Sequence, residues 1–242
     1  AAGPVCAAFE CQGSLLGHPQ VTTRLSLFAG VPHLFVETRL LKDATPLLDL
    51  HQVFPFKISQ PRFRYEGVLS SIDPASDLLP GAFSDVLAVQ NWVQVAGDGQ
   101  ALLWSSLDAP LAALGGLWPG YVSPAHRAWI DESARHAPLQ SGGLERGWIY
   151  ANLCNNNFGT NFAVSQTGDL LFRFTIRTRG QPFSDSEAAC FGQQAVTPLE
   201  PMFTQRPLKY SPPNPLPACT SFLLIDPPGV LDGERDANEG FA

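Results

Sequence analysis

Residues 170–178 have the sequence LLFRFTIRT, and this stretch decides the fold class. Apolar side chains at the even positions from 170 to 176 alternate with side chains that are mostly basic or polar. A period of two is typical of a β-strand that buries one face and exposes the other. Similar alternation, or a short β-branched and aromatic run, predicts further strands at 5–12, 21–28, 34–41, 48–56, 63–65, 86–95, 101–106, 148–153 and 221–225.

The connections between these strands are short and contain turn residues. Gly-Val-Pro at 30–32 and Gly-Asp-Gly at 97–99 each join two predicted strands, as the turns of hairpins do. Parallel neighbours would need crossover connections of about a dozen residues or more, usually helices, and the sequence predicts no long helix. The sheets are therefore predicted to be antiparallel.

One short helix is predicted before Pro198. Ser184 and Glu187 have the spacing of a capping box, and residues 187–196 suit two to three helical turns. Five prolines between 206 and 217 instead predict an extended connector. Together these features predict an all-β protein with at most one short helix.

The composition excludes some classes of partner. The chain of 242 residues has a formal net charge of -7, so it lacks the basic surface that nucleic-acid binding needs. It also lacks the run of about 20 apolar residues that crosses a membrane.

No signal peptide is visible at Ala1, and the chain is expected to begin within a longer protein. Charged residues make up only 15% of the chain, which predicts an apolar face that packs on another domain, and self-association in isolation.

Residues that often carry chemistry give few signals in this sequence. The five cysteines are odd in number and widely spaced, so all are expected to be thiols in a cytoplasmic protein. The histidines lack zinc spacing, and no nucleophile or phosphate-binding motif is present. Asp108, Asp131, Glu132 and Glu145 offer carboxylate pairs of the kind used in glycoside hydrolysis, but chains of this size contain such pairs by chance.

One segment, WIYANLCNNNFGTNF at 148–162, combines aromatic residues with five closely spaced asparagines. An amide side chain offers a donor and an acceptor to sugar hydroxyls, and aromatic rings cover the apolar faces of pyranoses. The segment is therefore predicted to contain a carbohydrate-recognition loop. The candidate substrate-binding residues are Asn155, Asn156, Asn157, Thr160 and Asn161. The alternative is a cluster of Asx-turns, in which the same amides cap their own backbone.

The same segment resembles a known family. Its NN at 155–156 and GTNF at 159–162 match an NNxxGTNF pattern in the C-terminal β-sandwich region of glycoside hydrolase family 38 α-mannosidases. FPF at 54–56, DAPL at 108–111 and SFL at 221–223 are similar to other pieces of that region and follow in the same order.

The resemblance implies an antiparallel supersandwich that is galactose-mutarotase-like, and it assigns residues 1–242 to the C-terminal sandwich of a larger hydrolase. In that family a catalytic zinc, its ligands and the nucleophile belong to an N-terminal α/β domain, which is absent from this sequence. The chain is therefore expected to hold no metal or cofactor and to be inactive alone. Its expected role is to complete a carbohydrate cleft beside that domain. The closing strand after Phe241 is expected to be missing.

Two other functions remain open from the sequence. A stand-alone carbohydrate-binding module would need an exposed aromatic platform, for which Trp118, Tyr121 and Trp129 are the candidates. An enzyme similar to the aldose epimerases would need a histidine and a glutamate that face each other across a cleft.

Overall fold

β-Strands make up most of the described structure. A computed structural model of the protein describes residues 2–15, 18–44, 49–79, 86–117, 144–155 and 167–197. Across these ranges the chain forms twelve strands and one helix, which are β1 (Cys6–Leu15), β2 (His18–Phe28), β3 (Leu34–Lys42), β4 (Asp49–Pro55), β5 (Arg62–Gly67), β6 (Ser70–Ile72), β7 (Leu87–Ala88), β8 (Val93–Gly97), β9 (Gln100–Ser106), β10 (Leu111–Leu114), β11 (Trp148–Asn155), β12 (Gly168–Arg179) and α1 (Asp185–Val196).

The strands form two sheets. The large sheet has the order β1-β2-β3-β12-β9-β8-β5-β6, and the small sheet has the order β4-β11-β10-β7. All described pairs of neighbouring strands are antiparallel. β12 lies inside the large sheet, with Phe172, Phe174 and Ile176 buried and Leu171 exposed. The predicted antiparallel pairing is confirmed, and so is the apolar buried face, whereas Thr175 on the opposite, polar face is buried as well.

The core lies between the two sheets. Phe54 of the small sheet lies 4.9 Å from Phe174 and 5.7 Å from Trp104 of the large sheet, measured between ring centroids. Ile149 and Ala151 on β11 belong to the same apolar cluster and have no exposed surface. Burying one large apolar side chain contributes about 1.5 to 3 kcal/mol, so contacts of this kind hold the sheets face to face. The predicted sandwich of antiparallel sheets is confirmed.

One predicted strand is wrong. Residues 86–95 form two strands, because β7 pairs with β10 in the small sheet whereas β8 pairs with β5 and β9 in the large sheet. The backbone changes partner between consecutive residues. Val89 N donates to the carbonyl that precedes β10, at 2.8 Å, and Gln90 N donates to Glu66 O on β5, also at 2.8 Å. The sequence pattern does not show where the chain passes from one sheet to the other, because buried Trp92 continues the run of apolar residues beyond that point.

Some elements fall outside the sequence prediction or outside the described residues. β6 and β10 are not predicted, since three and four residues are too few to show a period. The predicted strand at 221–225, the connector at 206–217 and the aromatic platform candidates at 118–129 lie outside the described residues. No helix within the described ranges has the length and apolar character needed to span a membrane.

The two predicted hairpin turns are present. Asp98 and Gly99 have φ angles of 50° and 72°, and they close the β8–β9 hairpin. Two consecutive residues with positive φ are the hallmark of a type I′ turn, which Asp-Gly adopts readily. Gly30 has a φ of 76° in the β2–β3 connection, where Val31 N donates to Phe28 O at 3.1 Å. Local turn chemistry therefore determines these connections.

The predicted helix is also present, beginning two residues earlier than the predicted range. Ser184 is its N-cap and forms a capping box with Glu187. Hydrogen bonds from Arg179, together with those from Ser184, hold the pKa of Glu187 at about 2. Phe191 on the helix packs with Trp92 and other residues on the face of the large sheet that points away from the sandwich core.

The cysteines within the described residues are free thiols, namely Cys6, Cys11, Cys154 and Cys190. Cys6 and Cys11 lie five residues apart on the extended strand β1, a separation of about 16 Å that no disulfide can bridge. Cys219 lies outside the described residues, so the expected set of five thiols stays a prediction.

Gly192→Ala is expected to lower the melting temperature. A β-carbon at Gly192 would lie 2.9 Å from Trp92 Cδ1 and 2.9 Å from Asn91 Cβ, both in the connection between β7 and β8. This clash outweighs the gain of about 1 kcal/mol that alanine brings to a helix interior. Thermal unfolding followed by circular dichroism measures the effect, with Gln194→Ala at an exposed position of the same helix as control. An alanine variant that melts at or above the wild-type temperature would show that α1 does not depend on this close approach.

Candidate functional site

β11, the strand that precedes the predicted recognition loop in the sequence, stops at one end of the sandwich, where four other strands also begin or stop. β2 begins at His18, β3 stops at Lys42, β4 begins at Asp49, β11 stops at Asn155 and β12 begins at Gly168. The register supports this placement, since Gly168 is opposite Lys42 and Asn155 is opposite Asp49. We call the residues at these five strand ends, with the next two residues on each strand, the loop end.

The structure places only part of the predicted site. Asn155 is the last residue of β11 and pairs with Asp49 through the backbone. The other four predicted residues lie outside the described residues, so their role stays a prediction; they are Asn156, Asn157, Thr160 and Asn161.

Two polar side chains are almost completely buried at the loop end. His18 is 1% exposed and Lys42 is 2% exposed. Lys42 Nζ donates to Asp43 O at 3.1 Å, and His18 Nδ1 lies 3.9 Å from Asp43 Oδ1. Neither ring nitrogen of His18 has a hydrogen-bond partner among the described residues. Burial of polar groups costs free energy unless they are hydrogen-bonded, so this arrangement is not explained by stability alone.

Two further unpaired groups lie on neighbouring positions of β4. Asp49 and His51 point to the same face of the small sheet, because they are two residues apart on a strand. Within the described structure, Asp49 Oδ1 and His51 Nδ1 are both buried without a hydrogen-bond partner. Burial raises the pKa of Asp49 and lowers the pKa of His51. Asn152 on β11 is paired with His51 and adds an amide beside it.

Unpaired polar atoms are concentrated at this place. In the part of the chain that the structure describes, nine buried side-chain atoms lack a hydrogen-bond partner once Asp185 Oδ1, which lies 2.6 Å from Arg64 Nη1, is left aside, and four of the nine belong to the loop end. Native proteins contain few such atoms, and each calls for an explanation such as water, an ion or a ligand. The loop end therefore has unused hydrogen-bonding capacity.

A polar groove of about 850 Å³ lies beside the loop end, on the outer face of β1, β2, β3 and β12. Arg39 and Asp169 form a two-point ion pair in it, with Arg39 Nε 2.8 Å from Asp169 Oδ1. The hydrogen bonds from Arg39 hold the pKa of Asp169 below its usual value. Gln12 and Gln20 add amides to the same groove. It therefore presents donors and acceptors side by side.

Of the carboxylates considered for hydrolysis, Asp108 is held by Arg173. Asp108 accepts hydrogen bonds from Arg173 N at 2.8 Å and from Arg173 Nη2 at 2.9 Å, so it fixes the connection after β9. Asp131 and Glu132 lie outside the described residues. Among the residues described, no group of three or more histidine, cysteine, aspartate or glutamate side chains is placed to hold a metal ion.

Apart from Asn155, sequence reasoning misses the described residues of this site. Asp49 and His51 lie in the strand predicted at 48–56, whereas His18 precedes the strand predicted at 21–28, and nothing local marks any of the three as buried and unpaired. The one available signal is the sequence DLHQVF at 49–54, in which polar residues at 49 and 51 flank the buried Leu50.

Comparison with known proteins agrees with the class of fold, an antiparallel β-sandwich. No family model matches the sequence, and no curated protein matches it. The structure is similar to that of an α-mannosidase from Enterococcus faecalis V583, with 12% identity and a TM-score of 0.54. The match covers 79% of this chain and 22% of that chain. The chain therefore spans about a fifth of the length of that enzyme, and at this identity the likeness shows the fold.

Two further structures match more loosely. One is a protein of glycosyl hydrolase family 38 from Enterococcus faecalis, with 14% identity, a TM-score of 0.48, and coverage of 73% of this chain and 17% of that chain. The other is a putative aldose 1-epimerase from Escherichia coli K12, with 9% identity, a TM-score of 0.39, and coverage of 75% of this chain and 67% of that chain.

The imidazole of His51 is expected to titrate with a pKa below 6.5. The unfolded chain then binds a proton before the folded chain does, so protonation of this histidine favours unfolding. The free energy of unfolding is therefore expected to be highest above about pH 6.5 and to fall as the pH drops. Nuclear magnetic resonance of the imidazole nitrogens measures the folded pKa, and the His51→Gln variant assigns the signal. A His51 signal that titrates at or above 6.5 would show that the side chain is solvated or paired with a carboxylate.

Proposed function

We propose that the chain is the C-terminal, non-catalytic sandwich of an α-mannosidase-like glycoside hydrolase, in which it completes a carbohydrate cleft. The observation that carries the proposal is the structural match, which covers 79% of this chain but only 22% of the α-mannosidase. A match that covers most of this chain but only a small part of the other chain is expected when this chain corresponds to one part of a larger enzyme. The NNxxGTNF segment at 155–162 supports the same assignment from sequence.

The loop end suits sugar hydroxyls. A hydroxyl group both donates and accepts, and the unpaired atoms there include an acceptor on Asp49 and imidazole nitrogens on His18 and His51. The amides of 155–161 continue directly from β11 and would add further donors and acceptors. In this proposal the chain binds and orients the carbohydrate, whereas the zinc and the nucleophile belong to the catalytic domain.

The catalytic domain is proposed to dock on β1 and β2. The large sheet has eight strands and the described small sheet has four, and β1 and β2 lie at one edge of the large sheet. Phe9 and Leu27 point toward the core side there, yet they are 65% and 51% exposed. Large apolar side chains exposed on neighbouring strands are typical of an interface. In isolation the same face would favour self-association.

The free thiols of the described residues support a cytoplasmic location.

The coding sequence upstream of Ala1 tests the assignment to a larger enzyme. We expect an open reading frame that continues upstream into an α/β domain with histidine and aspartate residues spaced as zinc ligands. An initiator methionine directly before Ala1 would contradict the proposal and would favour a stand-alone carbohydrate-binding module.

Asn156→Ala and Asn161→Ala test the role of the loop in the full-length enzyme. Loss of an amide that pairs with a sugar hydroxyl should weaken transition-state binding by roughly 1 to 3 kcal/mol and lower kcat/KM accordingly, with little change in Tm. Gln194→Ala removes an exposed amide on α1 and serves as the control. If the loop is only a cluster of Asx-turns, both variants will instead lower Tm and leave kcat/KM unchanged.

A further inference from the structure

A second group of unpaired polar atoms lies far along the large sheet from the loop end. An open pocket of about 290 Å³ is lined by the β5–β6 hairpin, residues 90–92 and α1. Three of the residues that line it have buried side-chain atoms without a hydrogen-bond partner in the described structure: Glu66 Oε2, Ser71 Oγ and Trp92 Nε1. None of the described residues that line the groove beside the loop end has such an atom.

The frame of this pocket is rigid. Glu66 N donates to Trp92 O at 3.0 Å, and Gln90 N donates to Glu66 O at 2.8 Å, so the backbone is fixed on both sides of the carboxylate. Asn91 donates hydrogen bonds to the Glu66 carboxylate, whereas burial raises the pKa of that group. Gly192 allows α1 to approach Trp92 closely, because any larger residue would bring its β-carbon within 2.9 Å of Trp92 Cδ1. The three unpaired atoms are therefore held in place.

The rim of the pocket contains an unusual turn. Val68 and Leu69 connect β5 to β6 and are 81% and 78% exposed, and Leu69 has a φ of 60°. Glycine, asparagine and aspartate are the residues that such turns favour, because a positive φ strains other side chains. The two apolar side chains contribute nothing to the core, so they are available to cover a molecule in the pocket. Gln90 and Gln193 are exposed at the rim and are the side chains that would move to admit it.

The chemistry of the unpaired atoms limits the class of ligand. The indole N–H of Trp92 can only donate, and an ionised Glu66 carboxylate can only accept. A cation would leave the indole unpaired, and an anion would be repelled by the carboxylate. A hydroxyl group can accept a hydrogen bond from the indole N–H and donate one to the carboxylate. The volume suits a single small ring.

We propose that this pocket binds a neutral polyhydroxy compound the size of one sugar ring, with Glu66 accepting from it and Trp92 donating to it. The ligand lies under the Val68–Leu69 turn, and Ser71 pairs with a further hydroxyl. The proposal rests on these residues and not on the function proposed for the loop end.

Nuclear magnetic resonance of the tryptophan indole N–H groups in the full chain tests the proposal, with D-mannose, D-glucose and myo-inositol as probes. The Trp92 signal, assigned with Trp92→Phe, is expected to shift saturably with at least one of these polyols. Sodium acetate and tetramethylammonium chloride are expected to leave it unchanged. Saturable binding of either ion instead of a polyol would overturn the ligand class, and no shift with any probe would mean that only water fills the pocket.

Glu66→Gln is expected to weaken polyol binding by about tenfold or more, because the amide presents a donor in place of part of the carboxylate. Glu145→Gln changes an exposed glutamate elsewhere and is expected to have no effect. Ser71→Ala provides a second test if Glu66→Gln does not fold, and it should weaken binding as well. Equal affinity in the wild type and in a folded pocket variant would overturn the site. Asn156→Ala should leave this signal unchanged, which separates the pocket from the loop end.

Discussion

The contact of Phe54 with Phe174 and Trp104 is the interaction on which the rest of the structure depends. It joins the first strand of the small sheet to the centre of the large sheet, where the Trp104 and Phe174 rings stack at 5.7 Å. Because β4 is anchored there, its beginning and the end of β11 come to lie beside β2 and β3, where Leu50 and Cys154 pack with Leu40. The position of the loop end is thus a consequence of how the two aromatic faces pack.

Most of the unpaired buried polar atoms lie in two places outside this contact. Among the described residues they lie at the loop end, in His18, Asp49 and His51, and around the pocket beside α1, in Glu66, Ser71 and Trp92, whereas Trp104 and Ser105 carry one each on β9. Each unpaired buried group costs about 1 to 3 kcal/mol, a large amount against a total stability of about 5 to 15 kcal/mol. A well-packed core allows the fold to carry that cost. Both places lie where backbone segments from different strands meet, which is where a ligand can be contacted from several sides.

Much of the fold could be predicted from the sequence, and the errors have a common origin. Period-two strands such as 170–178 were predictable because each strand has one buried and one exposed face. The strand predicted at 86–95 was wrong because both β7 and β8 bury apolar side chains, so the pattern does not show that the chain changes sheets between Val89 and Gln90. Of the predicted site, Asn155 lies at the loop end, and the residues beyond it stay a prediction.

The sequence by itself determined the local features: the Asp98-Gly99 turn, the capping box of Ser184 and Glu187, and the alternation along β12. Each depends on residues a few positions apart, whose preferences act before any distant contact forms. Only the tertiary structure decided which sheet a strand joins and which polar side chains are buried without partners. The side chain of Glu66 meets Trp92 and α1 only after segments more than a hundred residues apart have packed, and burial of that kind is a property of the assembled sheets.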